Sequence, residues 1–110
     1  MAGFTTIFNN VNTTAMLTFE QFEESLQNNI PPQNTSVYLQ SLWYDAKGNW
    51  NKAHGLVDNL SGSIAAGVHA YLHRVEGDKW NANYWYNKAG KTMPAVGLKE
   101  EWKELVQSLL

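Results

Sequence analysis

The sequence predicts an all-α protein of about six helices, stacked as short hairpins and closed by a C-terminal capping helix. Three observations carry this. Apolar residues recur at three- and four-residue spacing from Ser36 almost to the end of the chain. Glycines and a Ser61-Gly62-Ser63 triplet punctuate that pattern at helix-length intervals, at Gly48, Gly77 and Gly90 through Gly97. Two stretches also align without a gap: Gly48, Ala53, Val57 and Leu60 fall opposite Gly77, Ala82, Tyr86 and Ala89, each pair 29 residues apart.

Residues 1–17 show neither helical nor strand periodicity and read as a flexible N-terminal tail, leaving residues 18–110 as one helical-repeat domain. Thr18 and Gln21 have the spacing of a capping box. Phe19, Phe22, Leu26 and Ile30 continue from it at helical spacing, and the helix must stop before Pro31-Pro32 because proline removes a donor and restricts the residue ahead of it. Gly48-Asn49 and Gly77-Asp78 each place a residue suited to the left-handed conformation just ahead of one that can cap the next helix. Such turns make tight antiparallel helix pairs. The last segment sets Leu98, Trp102, Leu105, Val106 and Leu109 on one face, with Lys99, Glu100, Glu101, Lys103 and Glu104 elsewhere, and is amphipathic.

Composition narrows the function classes. A chain of 110 residues has the size of a single domain, and 44% hydrophobic residues with five Trp, five Tyr and four Phe supply a core. A net charge of −2 argues against nucleic acid as a partner. No apolar run approaches the roughly 20 residues that span a bilayer, and the N-terminus carries no signal-peptide pattern, so no membrane is expected. With no cysteine, thiolate chemistry is absent and a cytoplasmic location is the default expectation.

The run Leu42-Trp43-Tyr44-Asp45-Ala46-Lys47-Gly48-Asn49-Trp50-Asn51-Lys52-Ala53, with Glu76-Gly77-Asp78 leading to Ala82, Tyr86 and Ala89, resembles tetratricopeptide repeats. Those repeats have about 34 residues, so the present spacing and the missing terminal proline mark a shortened relative. Leu42 to Ala89 also looks like a group of small bacterial proteins with similar His-Ala-Tyr-Leu-His-Arg and Tyr-Trp-Tyr runs. The resemblance implies a right-handed hairpin stack and a protein or peptide partner, and it carries over no catalytic residues. A small non-enzymatic adaptor or scaffold follows. By the repeat pattern its concave face is lined by the first helix of each pair, which nominates Tyr38, Leu42, Asp45, Tyr71 and Arg74.

The alternative is a small-ligand or metal site, enzymatic or not, built on His54, His69 and His73 with Asp58 or Glu76 as orienting carboxylate or ligand. His69 and His73 have the i, i+4 spacing of the zinc-protease helix, but Ala70 stands where that motif requires its general-base Glu. Gly62 through Gly67 has phosphate-loop spacing with Val68-His69 in place of Lys and Ser/Thr, and no Gly-x-Ser-x-Gly occurs. Asn-x-Ser/Thr sequons at Asn12, Asn34 and Asn59 lack a secretory context. No motif calls for a cofactor, and the histidine spacings match no recognised metal signature.

A turn centred between Ser61 and Gly62 nevertheless sets His54 level with His69 and Trp50 level with His73, and the next turn sets Asn87 and Asn83 beside them. Such a polar seam on a small-residue face is accounted for first by internal hydrogen bonding that fixes how hairpins stack, ahead of a ligand pocket and then of a metal site. On the helix after Gly77, Trp80 and Tyr84 point away from Ala82, Trp85, Tyr86 and Ala89. The C-terminal helix would cover one of these faces. Left exposed, the Trp80/Tyr84 pair would be an interface, including one across the two-fold axis of a homodimer.

Overall fold

The computed structural model describes residues 17–110 and is all-helical, with no strand among the described residues. Apart from Leu17, which packs against the core, the proposed tail lies outside the described residues. Helix α1 (Phe19–Glu24) is opened by Thr18, whose side chain accepts from the Gln21 N–H while the Gln21 side chain accepts from the Thr18 N–H. It tightens into a 3₁₀ turn at Ser25–Gln27, short of the prolines, so Ile30 lies beyond the helix and is exposed.

Two hairpins follow. The first joins α2 (Val37–Ala46) to α3 (Trp50–Val57), and the second joins α4 (Ser63–Val75) to α5 (Lys79–Lys88). Their turns share one construction. Gly48 and Gly77 adopt φ of +85° and +89°, which let the Asn49 and Asp78 N–H groups bond back to the Tyr44 and His73 carbonyls. The same Asn49 and Asp78 side chains then accept from the Lys52 and Asn81 N–H groups and start the following helix. One residue thus closes one helix and opens the next, which holds each turn to three residues.

Helix α4 is the centre of the molecule. It packs on α2, α3, α5 and the C-terminal α6 (Leu98–Leu109), and every residue from Ala65 to His73 is buried. Ala66, Gly67 and Ala70 allow that crowding because small side chains let neighbouring backbones approach. The main core joins Phe22, Leu39, Leu42, Trp43, Val57, Val68, Leu72, Trp102 and Val106, with a smaller cluster of Ala70, Ala82 and Tyr86 beneath α5.

The capping helix docks where α1, α2 and α4 meet rather than over α5. Trp102 lies 6.0 Å from both Phe19 and Phe22, and its indole N–H donates to the Leu42 carbonyl at 2.9 Å. The outer face of α5 is consequently left open, with Trp80 75% exposed. No described helix is long and apolar enough to cross a membrane.

Candidate metal centre

The three histidines meet where the two hairpins touch. Asn49 caps α3 so that Trp50 begins it and His54 follows one turn later; the Trp50 and His54 rings stack at 4.8 Å and 12°. The Trp50 indole N–H donates to the Leu72 carbonyl at 2.7 Å and so ties α3 to α4 at this height. From α4, His69 and His73 stand one turn apart with rings 4.8 Å apart. Trp85 of α5 closes the far side, stacked on His69 at 4.0 Å and 15°.

His54 Nε2 and His69 Nε2 are 2.9 Å apart, a hydrogen bond in which one imidazole donates and the other accepts. One ring nitrogen of each histidine lies within 4.8 Å of the others. A tetrahedral Zn²⁺ with Zn–N bonds of roughly 2.0–2.1 Å places its ligand nitrogens about 3.4 Å apart. The 2.9 Å between His54 and His69 is shorter than that value, and the 4.8 Å that bounds the whole set is longer.

Carboxylates stand behind two of the rings. His73 Nδ1–H donates to Glu76 at 2.7 Å, and His54 Nδ1 lies 3.7 Å from Asp58. A carboxylate on one ring nitrogen fixes the tautomer and raises the basicity of the other, as it does for metal-ligating histidines generally. His73 also falls within a second convergent set with Glu76 and Asp78, although the Asp78 carboxylate is engaged by the N–H and side-chain amide of Asn81. Those bonds hold the Asp78 pKa below the usual carboxylate value.

His69 and His73 are buried, whereas the His54 and Asp58 side chains are 24% and 36% exposed and form the edge of the cluster that faces water. Burial, reinforced by the neighbouring His54 and His73, lowers the His69 pKa from 6.5 to about 4. It is therefore neutral at ordinary pH and available as a ligand. No buried side-chain nitrogen or oxygen among the described residues lacks a hydrogen-bond partner.

The level pairing read from the sequence places His54 by His69 and Trp50 by His73, as observed, but Asn83 and Asn87 are exposed and stay out of the cluster. Equal height along an axis leaves the direction around it free, and α5 turns Trp85 inward instead. That ring is the member sequence reasoning missed; its place on the α5 face shared with Ala82 and Tyr86 was the available signal.

The five groove positions lie elsewhere, and together they form no open groove. Leu42 and Tyr71 are core residues, and Tyr38 packs against the same core. Burial raises the pKa of half-buried Asp45, with the Tyr71 side chain acting in the opposite direction. Arg74 donates to Glu101 of α6 at 2.6 Å and to the Val96 carbonyl at 2.6 Å. The C-terminal helix α6, which packs on α2 and α4, takes up Arg74 in this way. Trp80 and Tyr84 remain on the surface, stacked at 6.2 Å and 12°, with the Lys88 ammonium 5.5 Å from the Tyr84 ring. No family model, curated protein or solved structure matched this chain.

Proposed function

We propose that this protein is a small helical-hairpin protein that binds one divalent transition-metal ion through His54, His69 and His73. The observation that carries the reading is the convergence of three imidazole nitrogens within 4.8 Å from two adjacent helices, with carboxylates behind two of the rings. Neutral imidazoles suit Zn²⁺ and its late first-row neighbours rather than Mg²⁺ or Ca²⁺, which select oxygen. The 29-residue repeat and the matched turns support a shortened tetratricopeptide-like stack as the scaffold, and a cysteine-free sequence fits a cytoplasmic setting.

The competing account is a seam of hydrogen-bonded histidines that only fixes how the hairpins stack. Chelator-treated protein given one equivalent of zinc separates the two. The expected result is stoichiometric retention and a rise in melting temperature, both abolished in the His54→Ala, His69→Ala double variant with its helical circular dichroism retained. Zinc that leaves the wild type unshifted, or shifts the double variant equally, refutes metal binding.

A protein or peptide partner, or a second copy of the chain, on the outer face of α5 is the second reading, favoured by the 75% exposure of Trp80 beside Tyr84. Sizing at two concentrations and capture experiments with Trp80→Ala test it. Unchanged self-association and an unchanged set of captured proteins refute it.

A further inference from the structure

Resting on the metal-binding reading above, we infer that an ion held by His54, His69 and His73 keeps one coordination position for an exogenous ligand, and that small monodentate anions bind there. The centre is then an exchange site and not a closed structural one.

Ligand supply is the first argument. Structural zinc sites are filled by four protein donors, whereas sites with three protein ligands keep a position for water or substrate. Among the described residues no Asp, Glu or Cys joins all three histidines in a convergent set. Residues 1–16 contain no His, Asp, Glu or Cys, and the whole chain contains no Cys.

The direction of the two nearby carboxylates is the second. Asp58 approaches Nδ1 of His54 and Glu76 holds Nδ1 of His73. The two nitrogens of an imidazole point outward on diverging lines, so a carboxylate on Nδ1 sits behind a ring that ligates through Nε2. His54 presents Nε2 to His69. Asp58 and Glu76 therefore stand as orienting groups behind rings that would ligate through Nε2.

Among the described residues, the two tryptophan walls supply no further donor. Trp50 and Trp85 present ring faces to His54 and His69, and the Trp50 N–H is already given to the Leu72 carbonyl. Three neutral imidazoles leave the full charge of a divalent ion in place, which favours an anion in the fourth position. The partly exposed His54–Asp58 edge is the side from which it would enter.

Cobalt(II) provides the probe, because its visible absorption reports coordination number and ligand identity. Chelator-treated wild type, Asp58→Asn and Glu76→Gln are each loaded with one equivalent of Co²⁺ and titrated with sodium azide, with cobalt content measured after desalting. A saturable change in the visible bands of all three proteins, at unchanged cobalt content, is the expected result. Bands that ignore azide in the wild type but respond in Asp58→Asn or Glu76→Gln would show that this carboxylate fills the fourth position, and would overturn the inference. Bands indifferent to azide in every protein, or azide that strips the cobalt, overturn it as well. If the wild type binds no Co²⁺, the metal-binding reading itself falls, and this inference with it.

Discussion

Replacing Glu101 with Ala tests how the capping helix is held. Glu101 lies on α6 at 4% exposure, and its carboxylate accepts from Arg74 Nη1 at 2.6 Å and from the Tyr86 hydroxyl at 2.6 Å. The Glu101 bond, with burial opposing it, raises the Arg74 pKa, while burial and then the same carboxylate push up that of Tyr86. Breaking a buried ion pair by removing one partner costs about 3–5 kcal/mol. Arg74 keeps its bond to Val96 and some access to water, which places the expected loss near the lower end, about 3 kcal/mol. For a domain of this size that lowers the melting temperature by roughly 12–24 °C. Urea unfolding followed by circular dichroism measures it, with exposed Glu104→Ala as the control, expected to change stability by less than about 0.5 kcal/mol. The Arg74→Leu, Glu101→Leu double variant should recover part of the loss, since neither charge is left alone. If Glu101→Ala costs no more than Glu104→Ala, the capping helix is not held by this group. Arg74→Glu, which a surface groove would tolerate, sets two carboxylates together and should destabilise the fold comparably.

Chelator-treated protein should lose stability as pH falls from about 6.5 toward 4. The His69 pKa is lowered to about 4 in the folded state, so between those values the unfolded chain takes up a proton that the folded one refuses. The contribution is fully present above pH 6.5 and amounts to at most about 3 kcal/mol. Urea midpoints at pH 7.5, 6, 5 and 4.5 should show this slope in the wild type and a flatter one in His69→Gln; equal slopes would refute it. Two glycines should respond in opposite directions. Gly77→Ala forces a side chain into φ +89° and should cost about 1 kcal/mol, whereas Gly55→Ala, inside α3 with nothing within 4 Å of the added methyl, should gain about 0.5–1 kcal/mol. Thermal melts of both read the sign directly.

Local chemistry made the helix ends legible. Thr18, Asn49 and Asp78 cap the helices they precede, and Gly48 and Gly77 take the left-handed conformation their turns require. Each of these is decided within about five residues, so nothing distant can override it. The pairing of Arg74 with Glu101 spans 27 residues and depends on where α6 docks. One hint was missed: Glu101, read among the charged positions off the apolar face, borders the stripe of Leu98, Trp102 and Leu105, where a charge is buried only when it is paired. The docking site of α6 itself turned on Trp102, whose N–H needed a buried acceptor and found the Leu42 carbonyl. Apolar patterning identifies the face to be buried but not which of several apolar surfaces will receive it.

The histidine cluster shows the same division from the other side. Turn positions set heights along the helices, and heights were enough to bring His54 to His69 and Trp50 to His73 across the α3–α4 junction. Rotation about each axis is set by packing, and on α5 the larger apolar gain comes from burying Trp85 and Tyr86, which carries Asn83 and Asn87 out to water. The outcome has a chemical consequence. Amides in the seam would have offered each imidazole a hydrogen-bond partner and left little reason for them to face one another. Aromatic walls offer none, so His54 and His69 turn to each other, and the carboxylates of Asp58 and Glu76 approach from behind. Three imidazoles gathered between two tryptophans, with His69 held neutral by burial, form the set of nitrogen donors on which the proposed metal binding rests.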